Sequence, residues 1–193
     1  MPIQSHVWKN RSGDFHRPER LLLRRGRPTS AVTLAKGVRI GVISDTHGLV
    51  RPEAIAALQG SDFIIHAGDI GKSEVLDELA RIAPVTAVRG NVDRDAWAAK
   101  LPECSALEVG EVSVYVLHNL AELDLKPETC GFKVVVHGHS HVPAQVIKEG
   151  VLYFNPGSAG PRRFKLPVSV GRITIHGLEL STENVVLQLT SGV

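Results

Sequence analysis

A chain of 193 residues, with 43% hydrophobic and 22% charged residues, has the size and composition of one ordinary globular domain. No apolar stretch approaches the ~20 residues that a membrane-spanning helix needs, and no signal peptide is recognisable, so we expect a cytoplasmic protein without a membrane segment. The two cysteines, Cys104 and Cys130, do not form a CxxC pair, and we expect two reduced thiols rather than a zinc site.

The net charge of +2 is unevenly distributed along the chain. Residues 1–36 contain eight Lys or Arg and two Asp or Glu, whereas the remainder contains 14 and 18, so the folded part gives no general footprint for nucleic acid. Residues 1–37 show no helix or strand period, and we predict a basic N-terminal extension before a domain at 38–193. We expect a tail without a catalytic or binding role. A nucleic-acid arm, a transit peptide and a homo-oligomer contact through Trp8 or Leu21–Leu23 are the alternatives.

From residue 38 the pattern alternates between strands and helices. The predicted strands are Val38–Ser44, Phe63–Ala67 and Val85–Val88, and the predicted helices are Pro52–Gln59 and Ser73–Ile82. Pro52 suits a first helical turn, and Ser73 is the predicted N-cap. This alternation predicts a parallel sheet with helices on its faces.

After residue 102 strands predominate. They are predicted at Leu107–Val109, Val112–Leu117, Lys133–Val136, Ala144–Lys148, Val151–Phe154, Arg172–Ile175 and Val185–Leu189. Gly110-Glu111 between the first two is a candidate hairpin turn. The sequence therefore predicts an α/β fold in which two mixed sheets pack as a sandwich with helices on the outer faces.

Residues of metal-ligand type follow five of the apolar runs. They are Asp45-Thr46-His47, Gly68-Asp69, Gly90-Asn91, His118 and Gly138-His139-Ser140-His141. Ligands gather beyond the carboxyl ends of strands in open α/β sheets, so we expect one shared pocket. Asp45 with His47, and His139 with His141, would share a face if strand geometry continued into the loops. Mixed nitrogen and oxygen ligands suit Mn, Fe, Co, Ni or Zn and disfavour Ca.

This ordered series resembles the signature of the calcineurin-like metallophosphoesterases: DxH, GD, GN, H and GHxH. The segments Ile65–Asp69 and Asn155–Ser158, the latter followed by Pro161-Arg162, are similar to the YfcE-like phosphodiesterase subgroup. The resemblance implies two divalent ions, with Mn²⁺ expected and Ni²⁺, Co²⁺, Fe²⁺ or Zn²⁺ as alternatives. It also implies the ligands: Asp45, His47 and His141 for one ion, Asn91, His118 and His139 for the other, and Asp69 as the bridge.

The implied activity is hydrolysis of a phosphodiester by a metal-bridging hydroxide, with Asp69, Asn91 and His118 as catalytic residues. Asn155 and Arg162 are the predicted substrate-binding residues, and the neighbouring Arg163 and Lys165 are either phosphate ligands or part of a solvated basic loop. A non-catalytic protein scaffold, the role of a retromer subunit with the same fold, is one alternative. A nuclease or RNA-processing enzyme is another. The full set of ligand types favours an enzyme.

Two positions depart from the family pattern. Many members carry GNH[DE], whose histidine is the general acid, but this chain has Gly90-Asn91-Val92-Asp93. Because valine cannot donate a proton, and general acid catalysis is typically worth ~10²–10⁴-fold, we expect a preference for diesters and good leaving groups. Asn119 replaces the glycine that usually follows the His118 ligand. We further expect His66 to be a buried, hydrogen-bonded histidine and Asp93 to support the site from behind.

Overall fold

The computed structural model describes residues 37–189 and the backbone of three residue pairs nearer the N-terminus. The two helices are α1 (Pro52–Leu58) and α2 (Ser73–Ala80). The strands are β1 (Trp8–Lys9), β2 (Phe15–His16), β3 (Glu19–Arg20), β4 (Val38–Ile43), β5 (Phe63–His66), β6 (Val85–Ala87), β7 (Cys104–Val109), β8 (Val112–Leu117), β9 (Val134–Val136), β10 (Ala144–Lys148), β11 (Val151–Asn155), β12 (Ser169–His176) and β13 (Glu179–Val186).

Two mixed sheets form the sandwich, which confirms the predicted fold class. The first has the order β13-β12-β4-β5-β6, in which β4, β5 and β6 are parallel and β12 is antiparallel to β4. The second has the order β10-β11-β9-β8-β7-β3, in which β8, β9 and β11 are parallel. Strands β7 and β8 form the predicted hairpin, with Val109 opposite Val112 across Gly110-Glu111.

The core lies between the sheets, where buried side chains of β4 and β5 pack against those of β8, β9 and β11. Both helices cover the outer face of the first sheet, where Leu58 and Leu79 pack with Ile43 and Ile64. Strands covered on both faces read as continuous apolar runs, which is why β4 and β5 were recognisable in the sequence. The outer face of the second sheet packs against loop residues, including Phe132 and Leu123, rather than against a described α-helix.

Several boundaries differ from the prediction. Strand β7 begins at Cys104, and the last strand spans Glu179–Val186, so its predicted position at 185–189 is wrong. Ser73 is the first residue of α2 rather than its N-cap, and its hydroxyl donates to Glu74 Oε2. Strand β13 pairs with β12 along its whole length at a sheet edge, where backbone hydrogen bonds do not require an apolar run.

Most of the predicted N-terminal extension, including Leu21–Leu23 and the Trp8 side chain, lies outside the described residues. Of the pairs that are described, β3 pairs in parallel with β7 at the edge of the second sheet. Cys104 and Cys130 are both free thiols, as predicted. Within the described part of the chain, no helix has both the length and the apolar character needed to cross a membrane.

Candidate metal centre

Five of the seven candidate ligands lie on loops and have a left-handed backbone conformation. Asp45, His47, Asp69, His139 and His141 have φ values of 54°, 48°, 54°, 68° and 59°. The expectation that strand geometry places them on one face is therefore wrong, because each strand ends before its ligands and the chain turns sharply. A left-handed conformation is uncommon for non-glycine residues, costs on the order of 1 kcal/mol or more, and concentrates at functional sites.

Backbone hydrogen bonds tie the loop after β4 to the loop after β5. The amides of Asp45, His47 and Gly48 donate to the carbonyls of Gly68, Asp69 and Ile70, over distances of 3.0, 2.9 and 2.7 Å. The two loops therefore run side by side, and the Asp45, His47 and Asp69 side chains are held by backbone bonds. Left-handed residues persist where surrounding structure determines them in this way.

One group of ligand atoms is formed by Asp45, His47 and His141. Asp45 Oδ1 lies 3.1 Å from His141 Nε2, which lies 3.4 Å from His47 Nε2. Asp45 and His141 are buried, with 0% and 4% exposure, and His47 is half-buried. Asp45 Oδ2 accepts hydrogen bonds from the Ser44 hydroxyl (2.7 Å) and the His139 amide (3.1 Å).

The second group is formed by Asp69, Asn91, His118 and His139. His118 Nε2 lies 3.4 Å from Asp69 Oδ1 and 3.2 Å from Asn91 Oδ1, and His139 Nδ1 lies 3.1 Å from the same amide oxygen. His118 Nδ1–H donates to the Ala67 carbonyl at 2.8 Å, so Nε2 is the ring atom that would bind a cation once it is deprotonated.

Asp69 stands between the two groups. Its Oδ1 faces His118, and its Oδ2 lies 3.9 Å from His47 Nε2. Asp45, His47 and His141 have ligand atoms within 4.8 Å of one another, and so do Asp45, Asp69 and His118. The structure therefore brings all seven sequence-predicted ligands into one pocket, with Asp69 positioned to reach both halves.

The charge states favour a cation at this pocket. Burial works against ionisation of Asp69, but His118 and the Val92 amide outweigh it and lower the pKa of Asp69 to about 2. Burial likewise opposes ionisation of Asp45, yet His141 and Ser44 hold its pKa below the ordinary value. Burial lowers the pKa of His47, which keeps its ring neutral. Burial lowers the pKa of His118, but the Asp69 carboxylate and the Ala67 carbonyl outweigh it and raise this pKa above the ordinary value. The two carboxylates and His47 thus have the protonation states that divalent transition metals bind, whereas binding at His118 would displace a proton.

Two buried atoms in the pocket lack a hydrogen-bond partner among the described residues. They are Asp45 Oδ1 and His141 Nδ1. Asp45 Oδ1 lies 3.1 Å from His141 Nε2 without a well-directed hydrogen bond to it, an arrangement that suits two ligand atoms on one cation better than a donor and its acceptor. Together with the mixed nitrogen and oxygen donors, this fits a divalent metal ion.

Glycines allow the ligand loops to approach each other closely. A Cβ atom on Gly90 would overlap Asp69 Oδ1 and the Asp69 backbone nitrogen, and one on Gly138 would overlap the Ser44 hydroxyl. A side chain at either position would thus displace a ligand or its hydrogen-bond partner. Behind Gly90, Asp93 accepts hydrogen bonds from the amides of Ile70, Gly71 and Gly90 at 3.1, 2.8 and 2.7 Å, which supports the site as expected.

His66 is fully buried and hydrogen-bonded, in agreement with the sequence prediction. Its Nδ1 accepts from the Gly68 amide at 3.2 Å, so its proton lies on Nε2, which donates to Thr46 Oγ1 at 2.9 Å. The Thr46 hydroxyl donates in turn to the Ile70 carbonyl at 3.0 Å. This chain of bonds links the loops that carry His47 and Asp69.

Asn155 has a different place from the one predicted for a substrate-binding residue. Its side chain is completely buried, and its amide nitrogen donates to the Gly138 carbonyl (2.9 Å) and to Ser140 Oγ (3.1 Å). Its Oδ1 accepts from the Gly157 amide at 2.9 Å. Asn155 thus braces the loop that carries His139 and His141, a role that its position before Pro156 did not indicate.

The basic loop after β11 brings one arginine to the pocket. Arg163 Nη2 lies 3.4 Å from His47 Nε2, whereas Arg162, the predicted substrate ligand, is exposed and donates from Nε to the Leu166 carbonyl at 3.3 Å. Both arginines are exposed, and composition cannot distinguish them, so the sequence does not show which of the two contacts the site.

Residues 38–177 match the family described as the calcineurin-like phosphoesterase superfamily domain. The chain belongs to this superfamily. It is 36% identical over 155 residues to a probable metallophosphoesterase of Methanothermobacter thermautotrophicus, which covers 75% of this chain and 90% of the relative. A probable metallophosphoesterase of Methanocaldococcus jannaschii is 32% identical over 166 residues, which is 79% of this chain and 82% of the relative.

Several solved structures share the fold of this chain. A novel archaeal phosphodiesterase superposes with a TM-score of 0.65 at 23% identity, covering 77% of this chain and 99% of its own. YfcE, a phosphoesterase from E. coli, gives 0.56 at 22% identity, with 69% and 87% covered. Vacuolar protein sorting 29 from Cryptosporidium parvum gives 0.66 at 19% identity, with 76% and 90% covered.

Proposed function

We propose that this calcineurin-like phosphoesterase is a dinuclear metal-dependent phosphodiesterase. The observation that carries the proposal is the position of Asp69, whose two oxygens face His118 on one side and His47 on the other. Asp45, His47 and His141 would hold one ion, and Asn91, His118 and His139 the other, with Asp69 shared. Mn²⁺ is the proposed metal by the family resemblance, and the mixed nitrogen and oxygen donors suit Ni²⁺, Co²⁺, Fe²⁺ or Zn²⁺ as well.

Two divalent ions bound there would neutralise phosphoryl charge and acidify a coordinated water to serve as nucleophile. The chain's own contribution is orientation. His118 is fixed through Ala67, Asp69 through the Val92 amide, and the His139–His141 loop through Asn155. Asn91 and His139 are exposed, so the second half of the pocket is open to a substrate.

Position 92 supplies no general acid, because the Val92 side chain is apolar. This side chain is 42% exposed. A leaving group must therefore depart without a proton from this residue. That favours esters whose leaving groups have a low pKa, and it supports the proposed preference for diesters over unactivated monoesters.

The test combines metal analysis with assays of the apoprotein. Mn²⁺, Ni²⁺, Co²⁺, Fe²⁺ and Zn²⁺ are added in turn, with bis(p-nitrophenyl) phosphate and p-nitrophenyl phosphate as substrates. We expect about two ions per chain and faster diester hydrolysis, and the Asp69→Ala variant should lose both tight two-metal binding and turnover. The matched control is Asp77→Ala on the exposed side of α2. Normal activity of Asp69→Ala would refute the mechanism, and a wild-type protein that neither binds metal nor hydrolyses an ester would favour a scaffold.

A further inference from the structure

The loop between β11 and β12 exposes a cluster of cations around an aromatic ring beside the metal centre. Arg162, Arg163 and Lys165 are exposed, and Phe164 is 94% exposed, more than any other large hydrophobic residue that the structure describes. Isolated exposed apolar side chains are common, so Phe164 means little by itself. Phe164 directly follows Arg163, which contacts His47, so its ring is exposed next to the candidate metal centre.

This loop is fastened to the ligand loop after β4. The Ser158 hydroxyl and the Gly160 amide donate to the Asp45 carbonyl at 2.9 and 3.2 Å, and the Ala159 amide donates to the Ser44 carbonyl at 3.1 Å. The Arg51 guanidinium holds the Gly160 carbonyl from the other side at 3.1 and 3.3 Å. These bonds fix the start of the loop only three residues before Arg163.

Arg163 has no carboxylate partner within residues 37–189. The described arginines that form ion pairs are Arg81, Arg89 and Arg172. The guanidinium carries only donors, and its neighbour His47 Nε2 is the atom that would bind a metal. A cation placed at the rim of a phosphoesterase centre, without a protein anion, is suited to a non-bridging phosphate oxygen, which guanidinium groups bind strongly.

Phe164 adopts a left-handed conformation, with φ of 52°, next to this arginine. Apart from the five candidate ligands, only Glu149 shares that feature among the described non-glycine residues. The conformation is costly for a bulky residue, and burial does not offset it because the ring is exposed. An exposed ring between cations is the combination with which proteins bind nucleotides, through stacking and phosphate contacts.

We propose that Arg163 and Phe164 form a recognition edge for a nucleotide-type phosphodiester, in which Arg163 binds the phosphate and Phe164 stacks on the base. This inference rests on the proposed function, and it adds a substrate class to it. Arg162 and Lys165 then contribute only long-range charge.

Two phosphate monoesters, one with and one without a base, test the edge, because a nucleotide monophosphate is the type of product that hydrolysis of the proposed diester would leave. Isothermal titration of the Mn²⁺-loaded protein with AMP and with ribose 5-phosphate measures the phosphate and base contributions separately. Arg163→Gln should weaken both ligands by roughly 10- to 100-fold, since it removes a charged hydrogen bond. Phe164→Asn, which removes the ring but tolerates the left-handed backbone, should weaken AMP by about 5- to 100-fold and leave ribose 5-phosphate unchanged.

Phe164→Tyr should retain the preference for AMP, and Arg81→Gln, directly after α2, is the surface control. The inference is overturned if Arg162→Gln weakens the phosphate more than Arg163→Gln, or if Phe164→Asn leaves AMP binding intact. Failure of the proposed function is a separate result, because a wild-type chain that binds no metal and hydrolyses no p-nitrophenyl ester fails before any variant is compared.

Discussion

The backbone amide of Val92 donates a 3.0 Å hydrogen bond to Asp69 Oδ1. The residue that replaces the family's general acid thus holds the central carboxylate through its main chain, while its side chain remains 42% exposed. The side chain can therefore be changed without removing the support of Asp69.

Replacing Val92 by histidine should restore an acid at this rim. We expect kcat/KM to rise by about 10- to 100-fold for diesters with poor leaving groups, and to change little for p-nitrophenyl esters, because only poor leaving groups need the proton. The measurement is the dependence of kcat/KM on the pKa of the leaving group. Val92→Gln is the control for size, and an equal gain with both ester types would contradict the acid role.

Replacing Gly90 by alanine should disrupt the metal centre although no ligand is changed. The new methyl group would overlap Asp69 Oδ1 and its backbone nitrogen, so Asp69 must move. We expect loss of tight metal binding and a decrease of about 1–3 kcal/mol in the free energy of unfolding. Gly110→Ala is the control for metal binding: a Cβ there meets nothing within 4 Å, and although its φ of 64° makes the substitution strained and lowers stability, metal binding should stay intact. Wild-type metal stoichiometry in Gly90→Ala would show that the loops can shift freely.

Asn155→Ala distinguishes bracing of the ligand loop from substrate binding. Loss of the bonds to Gly138 and Ser140 should loosen His139 and His141, and metal affinity should fall by about 10- to 100-fold. A substrate ligand would instead raise KM and leave metal affinity unchanged. Competition with a chelator measures the affinity, and Gln145→Ala, on the exposed edge strand β10, is the control for loss of an amide side chain.

The buried His66 should make the metal-free protein acid-sensitive. Complete burial is the main reason that the pKa of His66 is lowered to about 4, against 6.5 in the unfolded chain. The unfolded state therefore binds an extra proton between these values, so the free energy of unfolding falls as the pH decreases from 6.5 towards 4, by on the order of 3 kcal/mol. Urea titrations across this range should give a flatter profile for His66→Gln than for wild type. If the free energy of unfolding fell equally with pH in wild type and in His66→Gln, the lowered pKa of His66 would not be the cause of the acid sensitivity.

The sequence allowed the strands that are buried on both faces to be predicted closely. Val38–Ile43 and Val112–Leu117 are apolar runs interrupted only by Arg39 and Ser113, whereas β13 alternates exposed and half-buried residues at a sheet edge and its predicted position was wrong. Its pairing with β12 depends on backbone bonds, which leave no pattern in composition.

The sequence allowed the residues of the pocket to be predicted, because they follow the strand ends. It did not allow the backbone turns that bring their side chains together to be predicted. Asp and His are among the non-glycine residues that take up left-handed conformations most often, but even they do so in a small minority of cases, so Asp45-Thr46-His47 does not by itself signal the turn that directs both side chains inward. The same holds for Asn155 and Arg163, whose roles depend on which way a loop turns.

Gly90 also affects how related sequences should be interpreted. Because one methyl group at this position would displace Asp69, a descendant of this fold could lose its metals through a single substitution while keeping every ligand. Chains with and without bound metals would then be separated by a position that no inventory of metal-binding residues includes. When homologues are sorted into the two classes, the residue before the asparagine of the GN motif should be compared together with the ligands themselves.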